Sequence, residues 1–151
     1  MYEPIRTKSV HRAMAGASAD FPHRSREEEL DVQLAGHLAA LLATTDELRA
    51  EAPSADLDAA AERLAGQVAR LRGGRGPVRA AGTSGARGYR TAALHRQAHT
   101  LAGRALVVAA SRADTAAAIL AAERMDAHAA AAAGPEGRQE LSGAAREPLP
   151  S

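Results

Sequence analysis

Two consecutive segments carry the same spacing of apolar residues, and this spacing restricts them to helices. The apolar positions follow one another at intervals of four and three residues, first as Leu34, Leu38, Leu41, Thr45 and Leu48 and then as Leu57, Ala61, Leu64, Val68 and Leu71. Residues at these intervals lie on one face of an α-helix and form the seam of a coiled coil. We therefore expect two amphipathic helices that pack through their seams.

The ends of these two helices are also marked in the sequence. Ser25 and Ser54 precede the two segments, and a serine hydroxyl at this position accepts a hydrogen bond from the first helical turn. Pro53 disfavours helical geometry in the residue before it, so the first helix should end there. The sequence predicts helices at about 25–51 and 55–72, joined by a short loop as an antiparallel hairpin.

Alanine dominates the rest of the chain, with 40 residues against 24 for Leu, Ile, Val and Phe together. Alanine has the highest helix propensity, and the strand-forming residues show no alternating pattern. A further apolar stripe continues to a Gly-Pro pair at 134–135, where a helix should end. We expect one long alanine-rich helix over about 91–133, and hence an all-α fold with coiled-coil-like packing.

The segments outside these helices have no apolar period. Residues 1–24 and 134–151 are predicted to be a disordered N-terminal arm and a disordered C-terminal tail. Between them lies a helical domain at 25–133, in which residues 73–90 form a flexible basic linker rich in Gly and Arg. One domain is the expected number for a chain of this length.

Composition restricts the class of protein and its expected location in the cell. The chain has no cysteine, which excludes disulfides and thiolate metal sites. It also shows no signal peptide and no apolar run long enough to span a membrane. We expect a soluble cytoplasmic protein, and the near-exclusive use of arginine over lysine indicates a GC-rich bacterial genome.

Acidic and basic residues are separated along the chain. Residues 20–62 hold eleven acids and three arginines, whereas residues 63–112 hold ten arginines and no acid. We therefore expect the acidic first helix to face basic residues from the second half of the domain. Arg112, which interrupts the main apolar stripe of the third helix, should find an acid on the first helix or on a second copy of the chain.

The basic linker supports two interpretations. Arginines spaced by glycines can follow a phosphate backbone, as a strap that binds DNA or RNA. The residues that would contact phosphate are Arg72, Arg75, Arg79, Arg87 and Arg90. Straps of this kind usually repeat their motif and interleave aromatic residues, which this segment does not do. The favoured interpretation is a solvated linker whose arginines partly neutralise the acidic first helix.

No combination of residues in the sequence indicates catalysis. There is no nucleotide-binding loop and no paired nucleophile and base, so we predict a protein without enzymatic activity and without a cofactor. His95 and His99 are four residues apart on one helix face, which is a spacing used by metal ligands. No acid lies near them and arginines do, so we expect two exposed or interface histidines and no metal site.

The sequence therefore favours a helical interaction protein, an adaptor or regulator that binds a protein partner. In the N-terminal arm, apolar residues stand among basic ones, and we expect them either to dock on the partner and order on binding or to belong to a plain disordered terminus. These residues are Tyr2, Ile5, Val10 and Met14. The alternative function is that of a nucleic-acid accessory protein.

A second copy of the chain is the most direct partner that the sequence suggests. The long helix has a second apolar stripe, on a face that the hairpin cannot cover. The stripe consists of Leu106, Ala110, Ala113, Ala117 and Leu120. A helix that is apolar on two sides is usually buried on two sides, so we expect self-association through this stripe as a homodimer.

Overall fold

The structure is a computed structural model that describes the backbone of residues 24–79 and 88–144 and the side chains of 24–79 and 90–134. These residues form four helices and no strand. The helices are α1 (Arg26–Glu51), α2 (Ala55–Leu71), α3 (Gly88–Arg112) and α4 (Thr115–Ala144). The predicted all-α fold class is confirmed. None of the four described helices is both long and apolar enough to cross a membrane.

The hairpin of α1 and α2 forms where the sequence predicts it. Ser25 Oγ accepts a hydrogen bond of 3.1 Å from the backbone N–H of Glu28, and Ser54 Oγ accepts one of 3.1 Å from that of Leu57. At the end of α2, Gly73 adopts a left-handed φ of 69°. The following N–H, of Gly74, bonds the carbonyl of residue 69 at 2.7 Å. This is the glycine-terminated helix end that the Gly-Gly pair predicts.

The prediction of one long helix over 91–133 is wrong, because the helix breaks at Ala113. This residue has a left-handed φ of 59°, and the N–H of Asp114 bonds the carbonyl of Ala109 at 2.8 Å. The Asp114 carboxylate then accepts a hydrogen bond of 3.2 Å from the N–H of Ala117. Aspartate is a strong helix-capping residue, so it starts a new helix here although apolar residues continue on both sides. The result is a second hairpin, α3–α4.

Ion pairs define how the two hairpins are arranged. Arg90, near the start of α3, pairs with Glu51 at the end of α1 (2.7 Å), whereas Arg112 at the end of α3 pairs with Asp31 near the start of α1 (3.0 Å). The two helices are therefore antiparallel. These pairs confirm that the acidic first helix faces the arginines and that Arg112 finds its acid on that helix.

The helices follow the order α2, α1, α3, α4 around a bundle, and α2 and α4 meet along its last seam. Side chains on this seam form three ion pairs, which are Asp56–Arg124, Arg63–Glu123 and Arg70–Asp114. Because α2 and α3 run in the same direction, the end of α2 and the start of α3 lie at opposite ends of the bundle. The described residues after α2, 72–79, reach as far as Asp46 in the C-terminal half of α1, which Arg79 contacts.

The core has a different composition in its two halves. The hairpin α1–α2 contributes large side chains, among them Leu34, Leu38, Leu41, Leu42, Leu48, Leu57, Leu64 and Val68. The buried residues of α3–α4 are mostly alanines, with Leu94 and Leu120 as the larger exceptions. Small side chains allow two helix backbones to approach closely. The composition of the α3–α4 core therefore suits closely packed helices.

Helix α4 departs from the prediction at its end. Gly134 has non-helical geometry, with φ 67° and ψ −174°, which agrees with the expected break at the Gly-Pro pair. The backbone is helical again beyond it, to Ala144, where the sequence predicts a disordered tail. Proline is compatible with the first turn of a helix, because the N–H that it lacks has no helical acceptor there, so Pro135 does not prevent the restart.

Candidate interaction surface

The outer side of the α3–α4 hairpin carries an open apolar groove of about 300 Å³. We call it the α3–α4 groove, and its lining residues are Ala109, Ala110, Ala113, Asp114, Thr115, Ala118, Ile119 and Ala122. The groove exists because α4 folds back along α3 and alanine side chains are too short to fill the space between the two helices on this side. The result is a shallow, nearly uncharged trough beside the turn.

Two large apolar side chains are exposed on this hairpin, one on each helix. Val107 on α3 is 67% exposed and Ile119 on α4 is 53% exposed. Both would lose contact with water if a second helix or hairpin lay over the α3–α4 groove. Burying side chains of this size is favourable by about 1.5–3 kcal/mol each.

Three exposed charges on the same hairpin form no ion pair within the described part of the chain, and these are Arg96 and Arg104 on α3 and Asp126 on α4. Most other charges on these helices are used inside the bundle, as Arg112 is with Asp31. These three side chains are therefore available to groups outside the chain.

The structure divides the residues predicted to mediate self-association. Ala117 and Leu120 are buried within the core, and Leu106 packs against that core. Only Ala110 and Ala113 line the open groove. The sequence predicts the second stripe on an uncovered face of one long helix, whereas the break at Ala113 lets α4 cover much of it. Self-association itself stays a prediction, and the exposed residues that could serve it include Val107 and Ile119.

Two of the five arginines proposed for nucleic-acid contact bind acids of α1. Arg79 makes two hydrogen bonds of 2.7 Å to the carboxylate of Asp46. Partial burial of Asp46 works to raise its pKa, but the hydrogen bonds and charges of Arg79 and Arg49 outweigh this and lower it. The second of these two arginines, Arg90, pairs with Glu47 and Glu51.

The other predicted contact residues lie at the surface or outside the described part of the chain. Arg72 and Arg75 are exposed. The fifth arginine, Arg87, and all four residues of the N-terminal arm lie outside the described residues; those four are Tyr2, Ile5, Val10 and Met14. The predictions made for them are unchanged.

A pair of histidines joins α3 to α4 inside the bundle. His95 Nδ1 lies 2.9 Å from His128 Nδ1, and the two rings are tilted at 42°. His128 is fully buried and His95 is half-buried. The expectation that His95 is exposed or at an interface with another molecule is wrong, because α4 folds back over this face of α3. Folding α4 back brings His128, for which the sequence shows no partner, against His95.

Arg124 adds a buried positive charge to this pair. Its guanidinium bonds the carboxylate of Asp56 on α2 at 3.1 Å, while Arg124 Nε and His128 Nε2 are buried without a hydrogen-bond partner among the described residues. Burial, in the first place, and the charge of Arg124 together lower the pKa of His128 to about 4. The pKa of His95 is lowered by the same two causes.

The histidine pair is suited to holding helices together rather than to binding a ligand. With both rings neutral, one Nδ1 donates a hydrogen bond and the other accepts it. Among the described residues no group of three or more histidine, aspartate or glutamate side chains could hold a metal ion. The nearest cation is Arg124, which disfavours a metal at the two imidazoles.

The sequence matches no protein-family model, no curated protein and no solved structure at a significant level. The candidate surface is therefore defined by its own geometry.

Proposed function

We propose that this chain is a non-catalytic helical interaction protein of the cytoplasm, an adaptor or regulator that binds a protein partner through the α3–α4 groove. The observation that carries the proposal is an apolar groove with a large exposed apolar residue on each of its two helices. A single exposed apolar residue is ordinary on a protein surface. Two of them on one hairpin, with Ile119 lining the apolar groove between its helices, favour a contact surface here.

The shape of the groove favours a helical partner. Alanine side chains at its floor, such as Ala110, Ala118 and Ala122, leave room for another helix to approach closely. An amphipathic helix binds such a groove with its apolar side and keeps its polar side in water. The partner class that this surface supports is therefore a protein with an exposed amphipathic helix.

A comparison of two glutamate variants tests the proposal. Ile119→Glu places a charge beside the groove, and Val32→Glu places one on α1, where Val32 is 47% exposed. Because both positions are exposed, both variants should fold. From an extract of the source cells, the tagged wild type and Val32→Glu should retain the same protein partner, and Ile119→Glu should lose it.

A version that lacks residues 1–24 separates the groove from the N-terminal arm. If the arm is the docking segment, this deletion abolishes capture while Ile119→Glu leaves it intact, and the groove proposal is then wrong. Equal capture by all four proteins would also contradict the proposal.

The alternative, a nucleic-acid accessory protein, has Arg72 and Arg75 as its support, because these are exposed. Against it, Arg79 and Arg90 already bind acids of α1. Fluorescence anisotropy with labelled DNA and RNA at low salt should show no binding. Binding that weakens steeply as salt rises would favour the alternative.

A further inference from the structure

We propose that the α3–α4 groove binds the same groove of a second copy of this chain, about a twofold axis that runs parallel to α3 and α4. The inference rests on the proposed function, because it names the occupant of the same surface. A twofold axis in this direction places α3 of each copy over α4 of the other copy. A residue keeps its position along the helix axis under this rotation, so residues at the same height meet across the interface.

The two exposed apolar residues match under this symmetry. Val107 lies six residues before Ala113 and Ile119 lies six residues after it. Since α3 and α4 run in opposite directions from that turn, both residues lie at about 9 Å from it along the helix axis. Each Val107 therefore meets an Ile119 across the axis, and the contact occurs twice.

Opposite charges match as well, because Asp126 lies at a height between those of Arg96 and Arg104, about 6 Å from each along the helix axis. Arg104 lies nine residues before Ala113, and Asp126 lies thirteen residues after it. Their heights differ by about 6 Å, which a long arginine side chain can cover. Across the proposed axis each Arg104 faces an Asp126, so the interface contains two opposite-charge pairs that a single chain does not form.

A twofold axis perpendicular to the helices does not give this match. It would place α3 of one copy over α3 of the other. Residues 88–112 contain no acid, so Arg104 would then lie against a helix that offers no carboxylate. The charges thus favour the axis parallel to the helices. The lining alanines, such as Ala110 and Ala118, let the two hairpins approach closely along it.

Measuring the mass of the full chain in solution tests the pairing. Light scattering should give twice the mass of one chain for the wild type and for the control Val32→Glu. Ile119→Glu and Val107→Glu should each give the mass of one chain, because each buries two carboxylates in the apolar contact. Circular dichroism should show the same helix content for all four proteins.

Charge reversal tests the orientation of the two copies. Arg104→Glu and Asp126→Arg should each raise the dissociation constant of the dimer roughly tenfold, since each variant replaces two attractive pairs with two repulsive ones. The double variant restores opposite charges and should return the dissociation constant to within about threefold of the wild type. If the two losses of dimer affinity add in the double variant instead of cancelling, the proposed axis is wrong.

The outcomes separate this inference from the proposed function. A wild type with the mass of one chain at every concentration overturns self-pairing, and so does a dimer that survives both Val107→Glu and Ile119→Glu. If in either case Ile119→Glu still loses a different protein from the extract, the proposed function stands without self-pairing. If no protein is lost, both proposals are wrong.

Discussion

Gly73 and Ala113 occupy equivalent positions at the ends of α2 and α3, and the sequence reveals only the first. Both have a left-handed φ, 69° at Gly73 and 59° at Ala113. In both cases the next N–H bonds a carbonyl five residues earlier. Glycine is the usual residue at this position, so its presence predicts a helix end. Alanine in an alanine-rich run predicts a continuing helix, so the sequence does not indicate the break at Ala113.

Exchanging glycine and alanine at these two positions should shift stability in opposite directions. Ala113→Gly should raise the free energy of unfolding by about 0.5–1 kcal/mol, because it removes the clash of a Cβ with the backbone in left-handed geometry. Gly73→Ala should lower it by about 1 kcal/mol for the converse reason. Urea unfolding followed by circular dichroism measures both changes.

Gly36 provides the matched control at this scale. It lies inside α1, without a positive φ, and a Cβ built there meets no atom within 4 Å. Gly36→Ala should therefore raise the free energy of unfolding by about 0.5–1 kcal/mol through helix propensity alone. If Ala113→Gly proves destabilising, the left-handed geometry at Ala113 does not strain the chain.

At the scale of helices, the sequence predicts those ends that several signals mark together. Ser25 follows a segment without apolar periodicity and Ser54 follows Pro53, which ends the first helix, and both serines act as caps. Asp114 is also a cap, but apolar residues continue on both sides of it and the periodic pattern hides the junction. The placement of α4, the α3–α4 groove and the histidine pair all depend on this junction, so none of them could be predicted.

Two substitutions at Asp114 distinguish its cap from its ion pair. Its carboxylate accepts a hydrogen bond from Ala117 N–H and pairs with Arg70 at 2.7 Å. Asp114→Ala removes both interactions and should lower the free energy of unfolding by about 1–2 kcal/mol. Asp114→Asn keeps a capping oxygen and loses an exposed ion pair, so the loss should stay below about 1 kcal/mol. Equal losses in urea unfolding would show that the cap contributes nothing.

For the whole molecule, the separation of charge along the chain predicts which helices face each other. Eleven acids at residues 20–62 and ten arginines at residues 63–112 favour a contact between α1 and α3, and the pairs formed by Arg90 and Arg112 agree with this. Charge alone does not predict that a fourth helix closes the bundle. That closure buries His128 and Arg124, two polar residues that a sequence pattern would place at the surface.

The buried histidine should make stability depend on pH. Four groups face His128: Arg124 on its own helix, His95 and His99 on α3, and Asp56 on α2. The pKa of His128 is about 4 in the folded chain against 6.5 for an ordinary histidine. Above pH 6.5 His128 is neutral in both the folded and the unfolded chain. Between pH 6.5 and 4 the unfolded chain binds a proton that the folded chain does not, so acid lowers the free energy of unfolding, by about 3 kcal/mol at pH 4.

Replacing His128 checks this dependence. Urea unfolding of the wild type should show stability falling from pH 6.5 to 4, and His128→Leu should show a shallower slope across the same range, whatever its stability at pH 7. Asp46 does not contribute to the change between pH 6.5 and 4, because its lowered pKa affects the free energy of unfolding only below the ordinary aspartate pKa of 3.8. Parallel slopes for the two proteins would contradict the assignment to His128.

The alanines buried between α3 and α4 also affect how the chain responds to temperature. An alanine side chain has no rotamers to lose when it is buried, whereas each leucine between α1 and α2 gives up conformational entropy on folding. Alanine also exposes little apolar area on unfolding, so it adds little to the heat capacity change that curves the stability of a protein against temperature. The α3–α4 hairpin therefore gains little from the hydrophobic effect and loses little entropy. Its contribution to stability should vary less with temperature than that of the leucine-rich hairpin.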